Sequence, residues 1–157
     1  MNKQSAGTLV FRIIKNTLPE ILLVHPGGPF YMGKDLGVWS VPKGEYEDNE
    51  DPLTVAKIEF YEETGNKITA ENFIKLNPVR TTSGKNVQVW AIEENFDNCY
   101  ISSNTFELEW PPKSGKIKLF PECDKAEWFN FEEAAKKIFA YQKPLIEQLQ
   151  TIIKKTT

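Results

Sequence analysis

Residues 51 to 65 admit few structures other than a helix. Asp51 and Pro52 are typical of a helix start, because an acidic side chain caps free backbone N–H groups and proline needs no N–H partner in the first turn. Gly65 is typical of a helix end, because glycine adopts the left-handed conformation without steric cost. The sequence therefore predicts a helix of about three and a half turns between these two markers.

The predicted helix has two distinct faces. At about 100° per residue its apolar side chains fall on one stripe, which should face a core, and its glutamates fall on another. The apolar stripe comprises Leu53, Ala56 and Phe60. Glu59, Glu62 and Glu63 have the spacing i, i+3, i+4, so their carboxylates lie side by side. Such carboxylates repel one another and destabilise the helix unless a positive charge offsets them.

The distribution of charge along the chain favours a metal site over a solvated acidic surface. Residues 45 to 63 carry eight acidic side chains and one basic one, a net charge of −7, whereas the whole chain carries −3. The remainder of the chain is therefore mildly basic. A hard divalent cation explains this concentration, and Mg²⁺ suits carboxylates that share it with substrate phosphates. The segment predicts a Mg²⁺ site, with Mn²⁺ as an alternative cation.

The segment from Gly44 to Asn66 resembles the Nudix box, Gly-x5-Glu-x7-Arg-Glu-U-x-Glu-Glu-x-Gly-U, where U is a bulky aliphatic residue. The fixed positions that match are Gly44, Glu50, Glu59, Glu62, Glu63 and Gly65. Two positions differ, since Ile58 stands where the family has arginine and Asn66 stands where it has an aliphatic residue. In the family that arginine orients the catalytic glutamates, so its loss bears on turnover.

The resemblance implies an α/β (α+β) Nudix fold, an α/β/α sandwich with a mixed sheet between helices, in a single domain over residues 1–157. It implies a MutT-like, Mg²⁺-dependent pyrophosphohydrolase that cleaves the diphosphate linkage of a nucleoside diphosphate linked to another group. Glu59 would activate water and bind metal, and Glu62 and Glu63 would be metal ligands, with Glu62 also in the catalytic set. Glu50 and Gly44 would shape the loop.

Residues outside the helix complete the predicted site. Pro42-Lys43-Gly44 resembles the approach to the box in family members that act on dinucleoside polyphosphates, where the glycine carbonyl helps to hold metal and the lysine reaches a phosphate. Glu122 is similar to a further metal-binding or base glutamate of the family, which makes it an added ligand and an alternative base. Arg80 is a candidate phosphate contact, because guanidinium binds phosphate bidentately.

The rest of the chain alternates between strand and helix patterns. Predicted strands cover residues 6–14, 21–24, 38–44, 73–82, 86–93 and 125–129, the fourth and fifth forming a hairpin. Residues 25–30 and 98–121 are predicted to be irregular, the latter as a lid, and His25 is assigned a structural role. Asn130 is a predicted N-cap, with Glu133 completing a capping box, for a helix through Phe139. A final helix from Pro144 should pack on the sheet.

The composition is typical of one soluble globular domain, and the resemblance implies a small-molecule nucleotide as its partner rather than a membrane or a nucleic-acid polymer. The 157 residues contain no apolar stretch long enough to span a bilayer. Cys99 and Cys123 lack the spacing of metal ligands and are predicted to be free thiols in a reducing cytoplasm. The sequence leaves the oligomeric state open.

Three functional interpretations remain. The first is the Mg²⁺-dependent hydrolase, acting on a dinucleoside polyphosphate or a nucleoside triphosphate. The second is a nucleotide-binding regulatory protein with a Nudix fold and little turnover. The presence of Ile58 in place of the family arginine favours this interpretation. The third is a partner-binding module with a solvated acidic face. The glutamate spacing favours the first two over the third.

Overall fold

A mixed β-sheet forms the centre of the molecule. The structure, a computed structural model, describes the backbone of residues 4–156 and the side chains of residues 4–155. The strands of this part of the chain are β1 (Gln4–Arg12), β2 (Glu20–Pro26), β3 (Lys43–Tyr46), β4 (Ile74–Lys75), β5 (Val79–Arg80), β6 (Asn86–Glu93), β7 (Thr105–Glu109), β8 (Ile117–Pro121) and β9 (Cys123–Asn130). Seven of them form one sheet, and β7 and β8 form a separate antiparallel pair.

The order of the large sheet is β4-β6-β1-β2-β9, with β3 pairing with β1 and β5 pairing with β6. Strands β1 and β6 are parallel, whereas the other pairs are antiparallel. In the β1–β3 pair, Ala6 lies opposite Gly44 and Gly7 lies opposite Lys43. This register attaches the start of the predicted box to the central strand of the sheet.

Helices cover both faces of the sheet. They are α1 (Pro52–Thr64), α2 (Phe131–Lys137) and α3 (Lys143–Thr156), with a 3₁₀ turn at Ala140–Gln142 before α3. Phe60 of α1 packs with Val10 and Leu22 on one face of the sheet. Leu145 and Leu149 of α3 pack with residues of the other face, which include Leu9 and Leu23. The alternation of side chains along each strand thus builds two cores, and the predicted α/β/α sandwich is confirmed.

The predicted ends of α1 are confirmed. Asp51 Oδ2 accepts a hydrogen bond from the Thr54 backbone N–H at 3.1 Å, as an N-cap does. Gly65 has a φ of 81° and its N–H donates to the Tyr61 carbonyl at 2.8 Å. The glycine therefore ends the helix in the left-handed conformation. Asn130 likewise caps α2, because its Oδ1 accepts from the Glu133 N–H at 2.9 Å.

Two predictions of irregular structure were wrong in part, since residues 27–30, 98–104 and 110–116 are irregular but their neighbours are not. Residues 25 and 26 belong to β2, where His25 is only 3% exposed. Its Nδ1 lies 2.7 Å from Asp124 Oδ1 and its Nε2 lies 2.7 Å from the Lys34 carbonyl oxygen, so the imidazole is buried with both nitrogens partnered. The strand therefore continues through His25, although the prolines and glycines at 26–29 predict a loop there.

The stretch 98–121 contains the β7–β8 hairpin rather than an unstructured lid. Proline and glycine at 111–115 lie in the turn between the strands and do not disrupt them. Phe106 and Phe120 lie opposite each other with ring centroids 6.1 Å apart, Phe106 approaches Gly28, and the ring of Trp110 lies 5.5 Å from that of Phe30. An apolar inner face therefore holds the hairpin against the segment that follows β2.

Several predicted boundaries also moved. The strand predicted at 73–82 is two short strands, β4 and β5, although its hairpin pairing with β6 is confirmed. Between 38 and 42 only isolated bridges occur, and regular pairing begins at Lys43. Strand β1 ends at Arg12 instead of the predicted residue 14. Helix α2 ends at Lys137 instead of Phe139, because the backbone of Ile138 is extended. None of the helices in the described residues is long and apolar enough to cross a bilayer.

Candidate active site

A cleft of about 290 Å³ opens where β3, the end of α1 and the start of β9 meet. Its lining includes the charged residues Lys43, Glu63 and Glu122. It also includes Tyr31, Phe139 and Tyr141, and the ring of Phe139 lies 6.5 Å from that of Tyr31 and 6.1 Å from that of Tyr141. Residues separated widely along the chain meet here because β3 pairs with β1 while α1 crosses the same face of the sheet. The cleft thus combines charged groups with a cluster of aromatic side chains.

Glu59 fits into this site because residue 44 has no side chain. A Cβ atom built on Gly44 would lie within 2.5 Å of all three atoms of the Glu59 carboxyl group. Gly44 does not have a positive φ, so its backbone conformation does not itself require glycine. The role of glycine at this position is therefore the space that it leaves for the carboxyl group of Glu59.

Glu63 is held by two donors from different strands. Its Oε2 accepts a hydrogen bond from the Lys43 backbone N–H at 3.0 Å, and its Oε1 accepts one from Cys123 Sγ at 3.3 Å. The residue is only 7% exposed. A buried carboxyl group with both oxygens partnered has one orientation, which it keeps with little loss of side-chain entropy.

Burial and mutual repulsion change the acidity of these carboxyl groups. Desolvation, followed by the charges of Glu62 and Glu122, raises the pKa of Glu59 to about 7. Desolvation also raises the pKa of Glu63 to about 8, with a smaller contribution from Glu59. Burial and the charge of Glu62 raise the pKa of Glu122. The four carboxyl groups therefore act on one another, and protons or a cation must relieve the repulsion.

This donor set has the chemistry that a hard divalent cation requires. It supplies carboxylate oxygens, the ligands that Mg²⁺ prefers, around a cradle that glycine keeps open for Glu59. Among residues 4–156, no group of three or more His, Cys, Asp or Glu side chains is already placed so that it could hold a metal ion by itself. Mg²⁺ commonly completes its shell with water and substrate phosphates, so such a group is not needed.

The structure brings most of the predicted site residues together, and it places one elsewhere. Lys43 lines the cleft, and its charge favours the ionised forms of Glu59 and Glu63. Arg80 is exposed on β5, where its Nε donates to Asn86 Oδ1 at 3.1 Å, and it does not line the cleft. Its role as a phosphate contact stays a prediction.

Two further expectations can be compared with side-chain positions. Glu50 closes the loop before α1, because its Oε1 accepts from the Glu47 N–H at 2.8 Å. Trp90 is buried in a small core cluster with Ala6 and Ala56. Ile58 is 49% exposed, so an arginine at this position would not enter the core.

Sequence reasoning missed the aromatic half of the cleft. Tyr31 lies in the segment after β2, Phe139 immediately precedes the 3₁₀ turn, and Tyr141 lies within it. The hydroxyl of Tyr141 accepts from Gln142 Nε2 at 2.8 Å, and the same nitrogen donates to Ser40 Oγ at 2.9 Å. Nothing in the local pattern marks these residues, because their neighbours in space are distant in the sequence.

A model of the NUDIX domain matches residues 3–149. The chain belongs to the Nudix family. The predicted Nudix fold and the prediction of a Nudix hydrolase that acts on phosphoric anhydrides are therefore confirmed at the level of the family. A search of curated proteins found no significant sequence relative.

Solved Nudix structures share the fold of this chain at low sequence identity. An Ap4A hydrolase of C. elegans in a binary complex superposes with a TM-score of 0.67 and 18% identity, over 96% of this chain and 98% of that one. The NUDIX domain of Shewanella oneidensis NrtR, complexed with ADP ribose, gives 0.68 and 16%, over 98% and 89%. A MutT structure from a study of Aliivibrio salmonicida and Vibrio cholerae gives 0.56 and 13%, over 93% of each.

Proposed function

We propose that this Nudix protein is a Mg²⁺-dependent pyrophosphohydrolase that cleaves the diphosphate linkage in a nucleoside diphosphate joined to another group. The observation that carries the proposal is the carboxyl group of Glu59 seated in the space left by Gly44, beside the coupled carboxyl groups of Glu62, Glu63 and Glu122. A diphosphate resists hydrolysis because its negative oxygens repel an incoming nucleophile. A site built from mutually repelling carboxylates attracts the cations that offset this charge.

Each residue has a distinct proposed task. Glu59, Glu62 and Glu63 would hold Mg²⁺, with Mn²⁺ as an alternative, together with Glu122 and the carbonyl of Gly44. The cation, when bound, supplies charge neutralisation and a more acidic water. Glu59 would take the proton from the attacking water, because its carboxyl group lies beside the other carboxylates that would hold the cation, and Glu122 is the alternative base. Lys43 faces the phosphates from the wall of the cleft.

The shape of the cleft supports a nucleotide as substrate. Lys43, Glu63 and Glu122 line the cleft, and a diphosphate bridged by cations would bind beside them. Tyr31, Phe139 and Tyr141 belong to the same lining and offer apolar and hydrogen-bonding surface to a nucleoside. A dinucleoside polyphosphate is the preferred substrate class, in keeping with the approach to the box and with the likeness to an Ap4A hydrolase structure. Nucleoside triphosphates are the alternative.

A panel of diphosphate-linked nucleotides tests this proposal. The panel contains dinucleoside polyphosphates, nucleoside triphosphates and nucleotide sugars, each incubated with Mg²⁺ in ¹⁸O-labelled water. The expected result is turnover that stops on chelation, with ¹⁸O found by mass spectrometry in a phosphate product. Turnover that is unaffected by chelation, or no turnover of any member with Mg²⁺ or Mn²⁺, would contradict it.

One feature favours a second candidate function, a nucleotide-binding protein with little turnover. Ile58 cannot make the charge-assisted hydrogen bond that the family arginine makes, so orientation of the glutamates depends on other contacts. The same panel distinguishes this candidate from the first. Micromolar binding of a nucleotide by calorimetry, without product formation over hours, would support a binding role instead of hydrolysis.

We expect Mg²⁺ to stabilise the protein, and more strongly in alkaline than in acidic buffer. The folded-state pKa values of Glu59 and Glu63, about 7 and about 8, lie above the ordinary value of 4.5. The native state therefore binds more protons than the unfolded state across this window, and stability falls as the pH rises through it. At about pH 8 Mg²⁺ displaces few protons. A free Mg²⁺ concentration about ten times the dissociation constant should then raise Tm by about 3–6 °C.

At about pH 5.5 the same concentration should raise Tm by much less, because bound protons compete with the cation for the same oxygens. Calorimetry in KCl of matched ionic strength provides the control. An equal rise at both pH values, or no rise at either, would contradict a site formed by these carboxylates.

The variant Ile58→Arg is expected to increase turnover. Position 58 lies about 40° around the helix from Glu62, and its side chain is exposed, so the new guanidinium avoids the cost of burial and can hold that carboxylate. Misplacement of a catalytic group by an ångström costs about 100-fold, which sets the upper limit of the gain. Initial rates and Tm should be measured on the same preparation.

Tyr61→Arg is the matched control for Ile58→Arg. Tyr61 is also exposed on α1, but it lies about 100° from Glu62, so the same charge there cannot orient the carboxylate. A folded Ile58→Arg protein that is no faster than wild type would show that other contacts already orient the glutamates.

A further inference from the structure

Cys123 occupies a position that neither the box nor the family assignment explains. It opens β9 directly after Glu122, lines the cleft, and is only 4% exposed. Its Sγ donates to Glu63 Oε1 at 3.3 Å. The thiol therefore contacts the carboxyl group of Glu63 on α1, and its residue directly follows Glu122, another carboxylate of the same site.

The backbone of this segment is firmly held. The N–H of Cys123 donates to Ser103 Oγ at 3.0 Å, and its carbonyl accepts from the Tyr100 hydroxyl at 2.8 Å. The N–H of Glu122 donates to the Asn104 carbonyl at 2.8 Å, and its carbonyl accepts from the Gly27 N–H at the same distance. A donor on such a support has a defined direction, as a group that orients a metal ligand requires.

We propose that Cys123 is a positioning residue, whose S–H group fixes the carboxylate of Glu63 for binding of a divalent cation. With Oε2 bonded to the Lys43 N–H and Oε1 bonded to the thiol, each oxygen keeps a lone pair that can face the cation. In this chain, which lacks the box arginine, the thiol and the main chain provide the orientation. The inference rests on the metal-dependent function proposed above.

The opposing interpretation is that Cys123 only fills space. Free cysteine behaves as a small apolar residue, and Cys123 packs in a core cluster with Val24, Phe60 and Ala126. The two interpretations predict opposite orders among substitutions. Serine keeps a donor and loses apolar character, whereas alanine and valine lose the donor and stay apolar.

The experiment measures Mn²⁺ binding to the free protein by electron paramagnetic resonance, in wild type, Cys123→Ser, Cys123→Ala and Cys123→Val. We expect the dissociation constant to rise about 10-fold in the alanine and valine variants and to stay within about 3-fold of wild type in the serine variant. In steady-state assays, the Mg²⁺ concentration for half-maximal rate should follow the same order, with KM for the nucleotide unchanged.

Cys99→Ala is the matched control. Cys99 is also a partly buried free thiol that donates to a carbonyl, that of Ala126 at 3.0 Å, but it does not line the cleft. Its loss should leave Mn²⁺ affinity unchanged, and Tm of every variant reports general damage to packing.

Two results would overturn the inference while leaving the proposed function intact. In the first, wild type binds Mn²⁺ and Cys123→Ala binds it equally well. In the second, serine weakens binding as much as alanine does, or valine restores it. Absence of Mn²⁺ binding by wild type would overturn the metal-dependent function itself, and the role of Cys123 with it.

Discussion

Replacement of Glu59 by glutamine is expected to lower kcat by about 10²- to 10⁴-fold while leaving the fold intact. Glutamine has the same shape, so it still occupies the space above Gly44. It cannot accept a proton from water, and it is a weaker ligand for a hard cation. Because it removes one of several carboxylates that repel one another, Tm without Mg²⁺ should not fall.

The measurement is kcat at saturating and at limiting Mg²⁺, on the substrate that the panel identifies. Glu71→Gln removes a carboxylate from an exposed loop position and serves as the control. Glu122→Gln identifies the base, because the substitution with the larger effect at saturating Mg²⁺ removes the group that takes the proton. Wild-type activity of Glu59→Gln at limiting Mg²⁺ would contradict the proposed site.

Substitution of Gly44 by alanine is expected to reduce kcat by about 100-fold or more. The new methyl group would lie within 2.5 Å of the carboxyl atoms of Glu59, so that side chain must leave its position. The φ of Gly44 is not positive, and alanine therefore adds no strain of its own in the backbone. The loss should come from displacement of one carboxylate.

A double-mutant cycle tests that cause. If Gly44→Ala acts by displacing Glu59, its cost should largely disappear in the Glu59→Gln background, because the displaced group is already inactive. Additive losses would instead show that the methyl group damages the site in another way, such as by moving the Gly44 carbonyl. Tm of Gly44→Ala, measured alongside, separates local displacement from unfolding.

The predictable part of the candidate site is the part encoded within one helix. The start of α1 at Asp51, its end at Gly65 and the shared face of its glutamates all depend on residues within one or two turns of each other. The family resemblance added the residues at fixed distances from that helix, Lys43 and Gly44 before it. Local patterns of this kind survive in any fold that contains the helix.

The errors arose where contacts distant in the sequence override a local signal. The residues after His25 predict a loop there, yet Asp124 and the Lys34 carbonyl satisfy both of its ring nitrogens inside a strand. The proline and glycine at 111–115 predict an irregular stretch, yet β7 and β8 pair on either side of them, with Phe106 opposite Phe120 and Phe106 against Gly28. In both cases tertiary partners supply the free energy that local propensity does not.

The amino-acid sequence alone determined that three carboxylates share a helical face and that a glycine precedes the helix, because spacing along a helix is local geometry. Only the tertiary structure decided why that glycine is needed. The pairing of β3 with β1 beneath α1 brings Gly44 against Glu59. The placement of β9 likewise brings Cys123, sixty residues away, to Glu63. Such contacts depend on the packing of the whole chain, and no period or local motif encodes them.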